Sequence, residues 1–262
     1  EGFRALGVAN LYIEKYYNEQ ADEILLNDVV ASLYDRNSLN DFIKKITEKI
    51  FVPLIVGGGI KSLKDIEFLL KSGADRVFLN SGIIKKPKLL DESIKYFGSS
   101  TILASIEATK INGQFICVTN SGREETNLNV LDWAKKVEDK GVSEIIITSI
   151  NYEGMGNGFD LELITKLNKS ISIPFIISGG YGKLEHIKEI LKFNNLSGIS
   201  IASALHYSVK NSLKINSNDY NEGNYDFLNK RKKYKNFEKT TISKIRKFIN
   251  LNILSLCSML LL

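Results

Sequence analysis

The sequence is poor in the residues that crosslink a chain or bind metals. Its 262 residues include only two cysteines, two histidines and one tryptophan. Cys117 and Cys257 lie too far apart to form a disulfide framework, which predicts a reducing compartment, the cytoplasm by default. Since His186 and His206 form no ligand cluster with them, no metal and no cofactor is expected.

A strong charge imbalance and long hydrophobic runs are also missing. The net charge is +5, and its basic excess is confined to residues 229–247, whereas a nucleic-acid-binding protein carries basic residues over a whole face. We therefore expect no nucleic-acid partner.

The apolar tail Asn252–Leu262 is shorter than the roughly 20 residues that span a bilayer. It therefore predicts a packed terminal helix or a corrupted end, with membrane anchoring as the lesser alternative. No signal peptide is present and the chain does not begin with Met, so Glu1 is expected to start a fragment or a processed chain.

Short apolar runs alternate with amphipathic helical patterns almost from the start, which is typical of parallel βα units. A first helix is predicted over Val8–Gln20. A closed (βα)8 barrel needs eight strands, so seven predict a TIM barrel whose first strand would precede Glu1. The seven predicted strands are Glu23–Asp28, Pro53–Gly57, Arg76–Asn80, Thr101–Glu107, Glu144–Ile150, Pro174–Ser178 and Gly198–Ala202.

The composition changes after Tyr207, where Asn, Ser and charged residues become frequent. We place the barrel core in residues 1–208. Residues 209–262 are expected to contain an insertion, a last helix over Thr240–Leu251 capped by Thr240 and Thr241, and the apolar tail.

One pattern occurs twice in the chain. "PLIVGGGIKSLKDIEFLL" begins at Pro53 and "PFIISGGYGKLEHIKEIL" at Pro174, and each is a strand, a double glycine and an amphipathic helix. A glycine turn that leads into a helix leaves backbone N–H groups free to face an anion. Glycines that only allow close packing are the alternative for a single copy, but two copies favour a ligand with a phosphate at each end. The candidate donors are Gly58, Gly59, Asn80 and Ser81 for the first turn, and Gly179, Gly180 and Ser203 for the second.

Charged residues mark both ends of the predicted strands. Glu23, Arg76 and Glu144 begin alternate strands and would form a charged layer at the amino-terminal mouth, unless each simply meets solvent. Carboxylates occur at the carboxyl ends, where barrel chemistry is assembled, and are candidates for proton transfer or for helix capping. These are Asp28, Glu107 and Glu153, of which Glu107 is the best candidate because it ends a strongly apolar strand, where desolvation would raise its pKa.

Three segments in order resemble the cyclase subunit of imidazole glycerol phosphate synthase: "VPLIVGGGIKSLKDIEFLLKSGADRVFLNS", "SEIIITSINYEGMGNGFDLELI" and "IPFIISGGYGKLEHI". The resemblance implies a barrel that takes ammonia from a glutaminase, a class I glutamine amidotransferase, in a heterodimer. The ammonia is used on a bisphosphorylated ribulosyl substrate in histidine biosynthesis. By similarity, the two phosphates would be held by Gly59, Asn80 and Ser81 and by Gly180, Ala202 and Ser203. Glu23, Arg76 and Glu144 would form the ammonia gate, and Asp28 and Thr148 match further site positions.

The chain also departs from that family. Glu107 stands where the family has an essential aspartate, and Glu153 replaces another aspartate. Such changes resemble a paralogous branch that works beside an amidotransferase in making amidino sugars. Two further alternatives remain open: a barrel that delivers ammonia without cyclase chemistry, and a broken copy that does not fold stably.

Overall fold

The alternation of strands and helices predicted from the sequence is present in the residues that the structure describes. The computed structural model describes residues 8–28, 36–210 and 236–259. The helices are α1 (Ala9–Asn18), α2 (Arg36–Thr47), α3 (Leu63–Lys71), α4 (Ser81–Lys85), α5 (Lys88–Phe97), α6 (Val130–Asp139), α7 (Leu161–Ser170), α8 (Leu184–Ile190), α9 (Ser203–Lys210) and α10 (Ile242–Met259). The strands are β1 (Ile24–Asn27), β2 (Leu54–Gly57), β3 (Arg76–Leu79), β4 (Ile102–Ile111), β5 (Gln114–Thr119), β6 (Glu124–Asn129), β7 (Ile145–Ser149), β8 (Phe175–Ser178) and β9 (Leu196–Ser200).

Seven strands pair in parallel in the order β1-β2-β3-β4-β7-β8-β9, and each overlaps one of the seven predicted strands. The last one lies two residues earlier than predicted, at Leu196–Ser200. Helices connect successive parallel strands, which confirms the α/β barrel class. Within the part of the chain that the structure describes, no strand joins β1 to β9.

An antiparallel excursion between β4 and β7 was not predicted from the sequence. Strand β4 runs beyond Glu107 to Ile111 and turns back into β5, which pairs with β6. Asn112 and Gly113 form the first turn with positive φ angles of 49° and 80°. The excursion extends past the carboxyl edge of the parallel sheet, so its second turn returns to the mouth of the barrel.

Two separate apolar clusters stabilise the fold. The larger lies between the sheet and the helices and includes Leu54, Ile66 and Phe175, all fully buried. The smaller lies on the other face of the curled sheet, where alternate residues of the same strands point inward. Its members are Ile55, Phe78, Leu103, Ile146 and Ile176, with Leu25 packed against them.

The last helix returns to the start of the chain. The backbone N–H of Ile242 donates to Glu19 Oε2 at 3.0 Å, and α10 also packs on α8. Thr241 accepts from Lys244 N at 3.3 Å and therefore caps the helix as predicted. Thr240 does not cap it, because its hydroxyl faces Tyr181 and its N–H donates to Ser208 Oγ.

The predicted division near residue 208 stays a prediction, since residues 211–235 of the expected insertion lie outside the described residues. The apolar tail is helical as far as Met259. Among the helices that the structure describes, none is both long enough and apolar enough to cross a membrane.

Candidate functional site

The amino-terminal end of the curled sheet carries a ring of charged side chains. Arg76 Nη1 lies 2.7 Å from Glu144 Oε2 and 4.0 Å from Glu23 Oε1, so the three strand-start charges lie together. Ser197, which the sequence analysis did not single out, donates from Oγ to Glu144 Oε1 at 2.6 Å. Loss of water raises the pKa of Glu23 above its ordinary value. The positive charge of Arg76 opposes that rise, and the negative charge of Glu144 adds to it.

The next layer inside the sheet is apolar. It consists of the smaller cluster described above, with Phe78 only 6% exposed. A Cβ atom on Gly57 would lie 2.4 Å from three atoms of the Phe78 ring, so the ring occupies the space that the missing side chain leaves open. The interior therefore passes from charged to apolar along the strand direction.

Polar side chains follow at the carboxyl ends of the strands. Glu107 pairs in register with Thr148 on β7, Thr148 with Ser178 on β8, and Ser178 with Ser200 on β9. Register partners in a parallel sheet point to the same face, so these four side chains form one row at the mouth of the barrel. Ser178 and Ser200 were not predicted as site residues, although Ser178 directly precedes the second double glycine and Ser200 ends the strand that follows it.

Glu107 is the best placed of the three predicted carboxylates. Its Oε2 accepts from Gly122 N at 3.0 Å, in the turn between β5 and β6. Burial raises the pKa of Glu107 above its ordinary value. The N–H groups of Gly122 and Ser121 and the side-chain amide of Asn80 lower that pKa, and the negative charge of Glu153 raises it.

The other two carboxylates lie at the same mouth. Desolvation also raises the pKa of Glu153, although its side chain is exposed at the rim and water weakens the effect. Asp28 follows β1, and a Cβ on Gly58 would lie 2.1 Å from its carbonyl oxygen, so Asp28 lies directly beside the first glycine turn.

The first glycine turn joins β2 to α3. Gly58 and Gly59 have φ angles of 106° and 60°, which a residue with a side chain rarely adopts. After the neighbouring strand β3, the Oγ of Ser81 at the start of α4 accepts from Asn120 N at 3.3 Å. Asn80 was predicted as a phosphate donor, but its amide faces Glu107, and its Oδ1 is buried without a hydrogen-bond partner among the described residues.

The second glycine turn follows β8. Gly179 and Gly180 have φ angles of 93° and 105°, and a Cβ on Gly180 would lie 2.1 Å from the carbonyl oxygen of Gly158. Ala202 and Ser203 follow β9, and a Cβ on Gly154 would lie 3.8 Å from Ser203 Oγ. The loop after β7 therefore approaches the start of α9.

In strand order, β4 is the middle one of the seven parallel strands. The first glycine turn follows β2, and Asn80 and Ser81 follow β3. The second glycine turn follows β8, and Ala202 and Ser203 follow β9. The two glycine turns thus flank the strand that carries Glu107. Among the described residues, no group of three or more His, Cys, Asp or Glu side chains is placed to hold a metal ion.

These features define the class of the protein: an α/β barrel of the TIM type, with its polar groups gathered at the carboxyl ends of the strands. The family model described as "Histidine biosynthesis protein" matches residues 7–211, and the chain belongs to that family.

Several curated relatives share this similarity. The chain is 46% identical over 186 residues to the imidazole glycerol phosphate synthase subunit HisF of Legionella pneumophila, which covers 71% of this chain and 88% of the relative. It is 40% identical over 197 residues to the subunit of the same name from Bacillus cereus (strain Q1), covering 74% and 78%. The corresponding subunit of Flavobacterium psychrophilum is 39% identical over 194 residues, covering 74% and 77%.

Proposed function

We propose that this chain is the cyclase subunit of imidazole glycerol phosphate synthase, a lyase of histidine biosynthesis. It uses ammonia derived from glutamine on a bisphosphorylated ribulosyl-aminoimidazole substrate. The products are imidazole glycerol phosphate and an aminoimidazole carboxamide ribotide. The observation that carries the proposal is the position of Glu107, a desolvated carboxyl on the middle strand between two glycine turns.

In this proposal the substrate lies across the mouth with one phosphate at each glycine turn. Gly59 and Ser81 hold one phosphate through N–H and hydroxyl groups, and Gly180, Ala202 and Ser203 hold the other. Asn80 lies between the first turn and Glu107. Its Oδ1, which has no hydrogen-bond partner among the described residues, accepts a hydrogen bond from a substrate hydroxyl or N–H.

Glu107 transfers protons between the reacting atoms. Its raised pKa makes it a stronger base than an exposed glutamate, which suits acid and base roles in one cycle. The N–H of Gly122 orients the carboxylate, and Thr148, its register partner, offers a hydroxyl at the same level. Asp28 and Glu153 are the further carboxylates of the site.

Ammonia reaches this site from the opposite end of the barrel. A glutaminase docks at the amino-terminal face, and the ring of Glu23, Arg76 and Glu144 is its entrance. The apolar layer around Phe78 lets neutral ammonia pass more easily than ammonium, since an unpaired charge is costly to move into apolar surroundings.

Substitution of Glu107 tests the catalytic proposal. Glu107→Gln should lower ammonia-dependent turnover by roughly a hundredfold or more, the usual contribution of a general acid or base. Calorimetric binding of the substrate should change little, because the glycine turns are untouched. Glu125→Gln is the matched control, since Glu125 is an exposed carboxylate on β6 of the same excursion. Turnover of Glu107→Gln within twofold of the unmodified chain would exclude Glu107 from the chemistry.

The same experiments separate the alternatives. Substrate binding that is lost in a Gly59→Ala/Gly180→Ala double variant supports the two phosphate sites and the histidine pathway. A folded chain that binds no substrate favours the amidino-sugar branch. Glutaminase stimulation that survives Glu107→Gln but fails in Arg76→Glu favours ammonia delivery without cyclase chemistry.

A further inference from the structure

A cavity of about 380 Å³ opens beside the second glycine turn. It lies between the loop after β7 and the start of α8, and the segment that precedes α10 covers it. None of Gly180, Ala202 and Ser203, which the second phosphate is proposed to contact, lines this cavity. Its size is within the usual range of small-molecule sites, roughly 300–1,000 Å³.

The cover of the cavity is fixed by hydrogen bonds at both ends. Asn236 Nδ2 donates to the carbonyl oxygen of Met155 at 2.9 Å, and Glu238 N donates to that of Gly182 at 2.8 Å. A Cβ on Gly182 would lie 2.0 Å from the carbonyl oxygen of Gly156. The walls are therefore closely packed backbone.

His186 directs a hydrogen-bond donor into this cavity. Its side chain is only 9% exposed, and its Nδ1 accepts from Gly182 N at 3.2 Å. Burial lowers the pKa of His186, so the ring is neutral near pH 7 and carries its proton on Nε2. Within the described ranges, no hydrogen bond is found for Nε2. A ligand that accepts from this N–H would supply the hydrogen bond that the described residues do not provide.

Two more donors reach the same cavity. Lys183 lines the cavity and is exposed at its mouth. Asn157, on the opposite loop, also lines the cavity and carries a side-chain amide. Glu238 is the one carboxylate of the lining, and it suits a ligand that also carries a hydroxyl or another donor.

We infer that this cavity binds a small oxyanion, a phosphate monoester or a carboxylate, through Lys183, His186 Nε2–H and Asn157. The site differs in its residues from the two glycine turns proposed to hold the substrate. It does not depend on the reaction proposed above.

The histidine rings provide a direct test, since the chain has only two histidines. Long-range ¹H–¹⁵N NMR spectra are recorded while the full chain is titrated with glycerol phosphate or with acetate at constant ionic strength. We expect a saturable shift of His186 Nε2 and an unchanged His206, whose Nδ1 is engaged with the Tyr16 hydroxyl. Lys183→Gln should weaken the binding roughly tenfold or more, the usual loss for a charge-assisted hydrogen bond.

Each outcome is informative. A response to glycerol phosphate alone identifies a phosphate site, and a response to acetate identifies a carboxylate site. No shift of His186 with either anion overturns the inference. A shift that survives Lys183→Gln but disappears in Ser203→Ala would also overturn it, because the anion would then lie at the second glycine turn.

Discussion

Adding one methyl group at Gly57 should destabilise the barrel through Phe78. Gly57 does not have a positive φ angle, so its backbone conformation is open to alanine. The loss of unfolding free energy in Gly57→Ala would therefore be purely steric. The new Cβ would lie 2.4 Å from Cε1, Cε2 and Cζ of Phe78, which is well inside van der Waals contact. Both residues are buried, so the ring has to move within a packed layer. Overpacking of this kind costs about 1–3 kcal/mol of unfolding free energy.

Urea denaturation of Gly57→Ala, with and without Phe78→Leu, measures this cost. Leucine has no atoms at the Cε and Cζ positions, so Gly57→Ala should be nearly neutral in the Phe78→Leu background. The double-mutant cycle should therefore give a coupling of about 1–3 kcal/mol. In thermal scans each kcal/mol corresponds to a shift of about 2–4 °C for a chain near this size.

Gly198→Ala is the matched control. Gly198 also lies in a strand without a positive φ, but its Cβ would be 3.4 Å from the nearest atom, Ile176 Cγ1. Its substitution should change stability by less than about 1 kcal/mol. Equal costs for Gly57→Ala with and without Phe78→Leu would refute the steric argument.

Three other substitutions test separate parts of the structure. Burial lowers the pKa of His206 from 6.5 to about 4, so the stability it contributes is complete above pH 6.5 and is lost as the pH falls toward 4. Urea titrations between pH 6.5 and pH 4 should show that the unfolding free energy of His206→Gln falls by about 3 kcal/mol less than that of the unmodified chain, and equal falls in both would contradict the lowered pKa of His206. Arg76→Met leaves Glu144 without its cationic partner and should cost about 1.5–3 kcal/mol in urea denaturation, whereas equal stability of Arg76→Met and Arg76→Lys would show that the ion pair contributes little. Ser62→Ala removes the capping box of α3 and should cost about 0.5–2 kcal/mol in the same assay, and an unchanged midpoint would show that Asp65 caps the helix alone.

The parallel strands were predictable because their sequence signals are local and strong. Each of the seven is a short apolar run, and in the two repeated units a double glycine ends the run. The same alternation of inward and outward residues explains why the charges at the starts of alternate strands meet in one ring, as Arg76 and Glu144 do.

The β5–β6 excursion was missed although part of its signal is present. Asn112-Gly113 between two apolar stretches is the usual signature of a two-residue hairpin turn, and both residues have positive φ. Strand β6, by contrast, is almost entirely polar and none of its residues is buried, so it carries no apolar alternation that a sequence pattern could reveal. It forms because β5 offers it a free edge.

Part of the candidate site also depends on contacts that no local pattern predicts. The turn between β5 and β6 places the Gly122 N–H on Glu107, and Asn80 turns its amide toward the same carboxylate. Ser197 reaches Glu144 from 53 positions away in the sequence. Residue identity gives the candidates, but only the tertiary fold shows which partner each of them has.

The contacts of the last helix bear on how the protein is made. The bond from Ile242 to Glu19 joins residues 223 positions apart, and that from Ser243 to the carbonyl of Glu19 spans 224. Contacts so distant in sequence form late and slow folding. A chain still emerging from the ribosome cannot make them, nor can it place Glu238 on Gly182. The cavity beside the second glycine turn therefore gains its cover only after residues 236–238 have left the ribosome, and its rim is open until then.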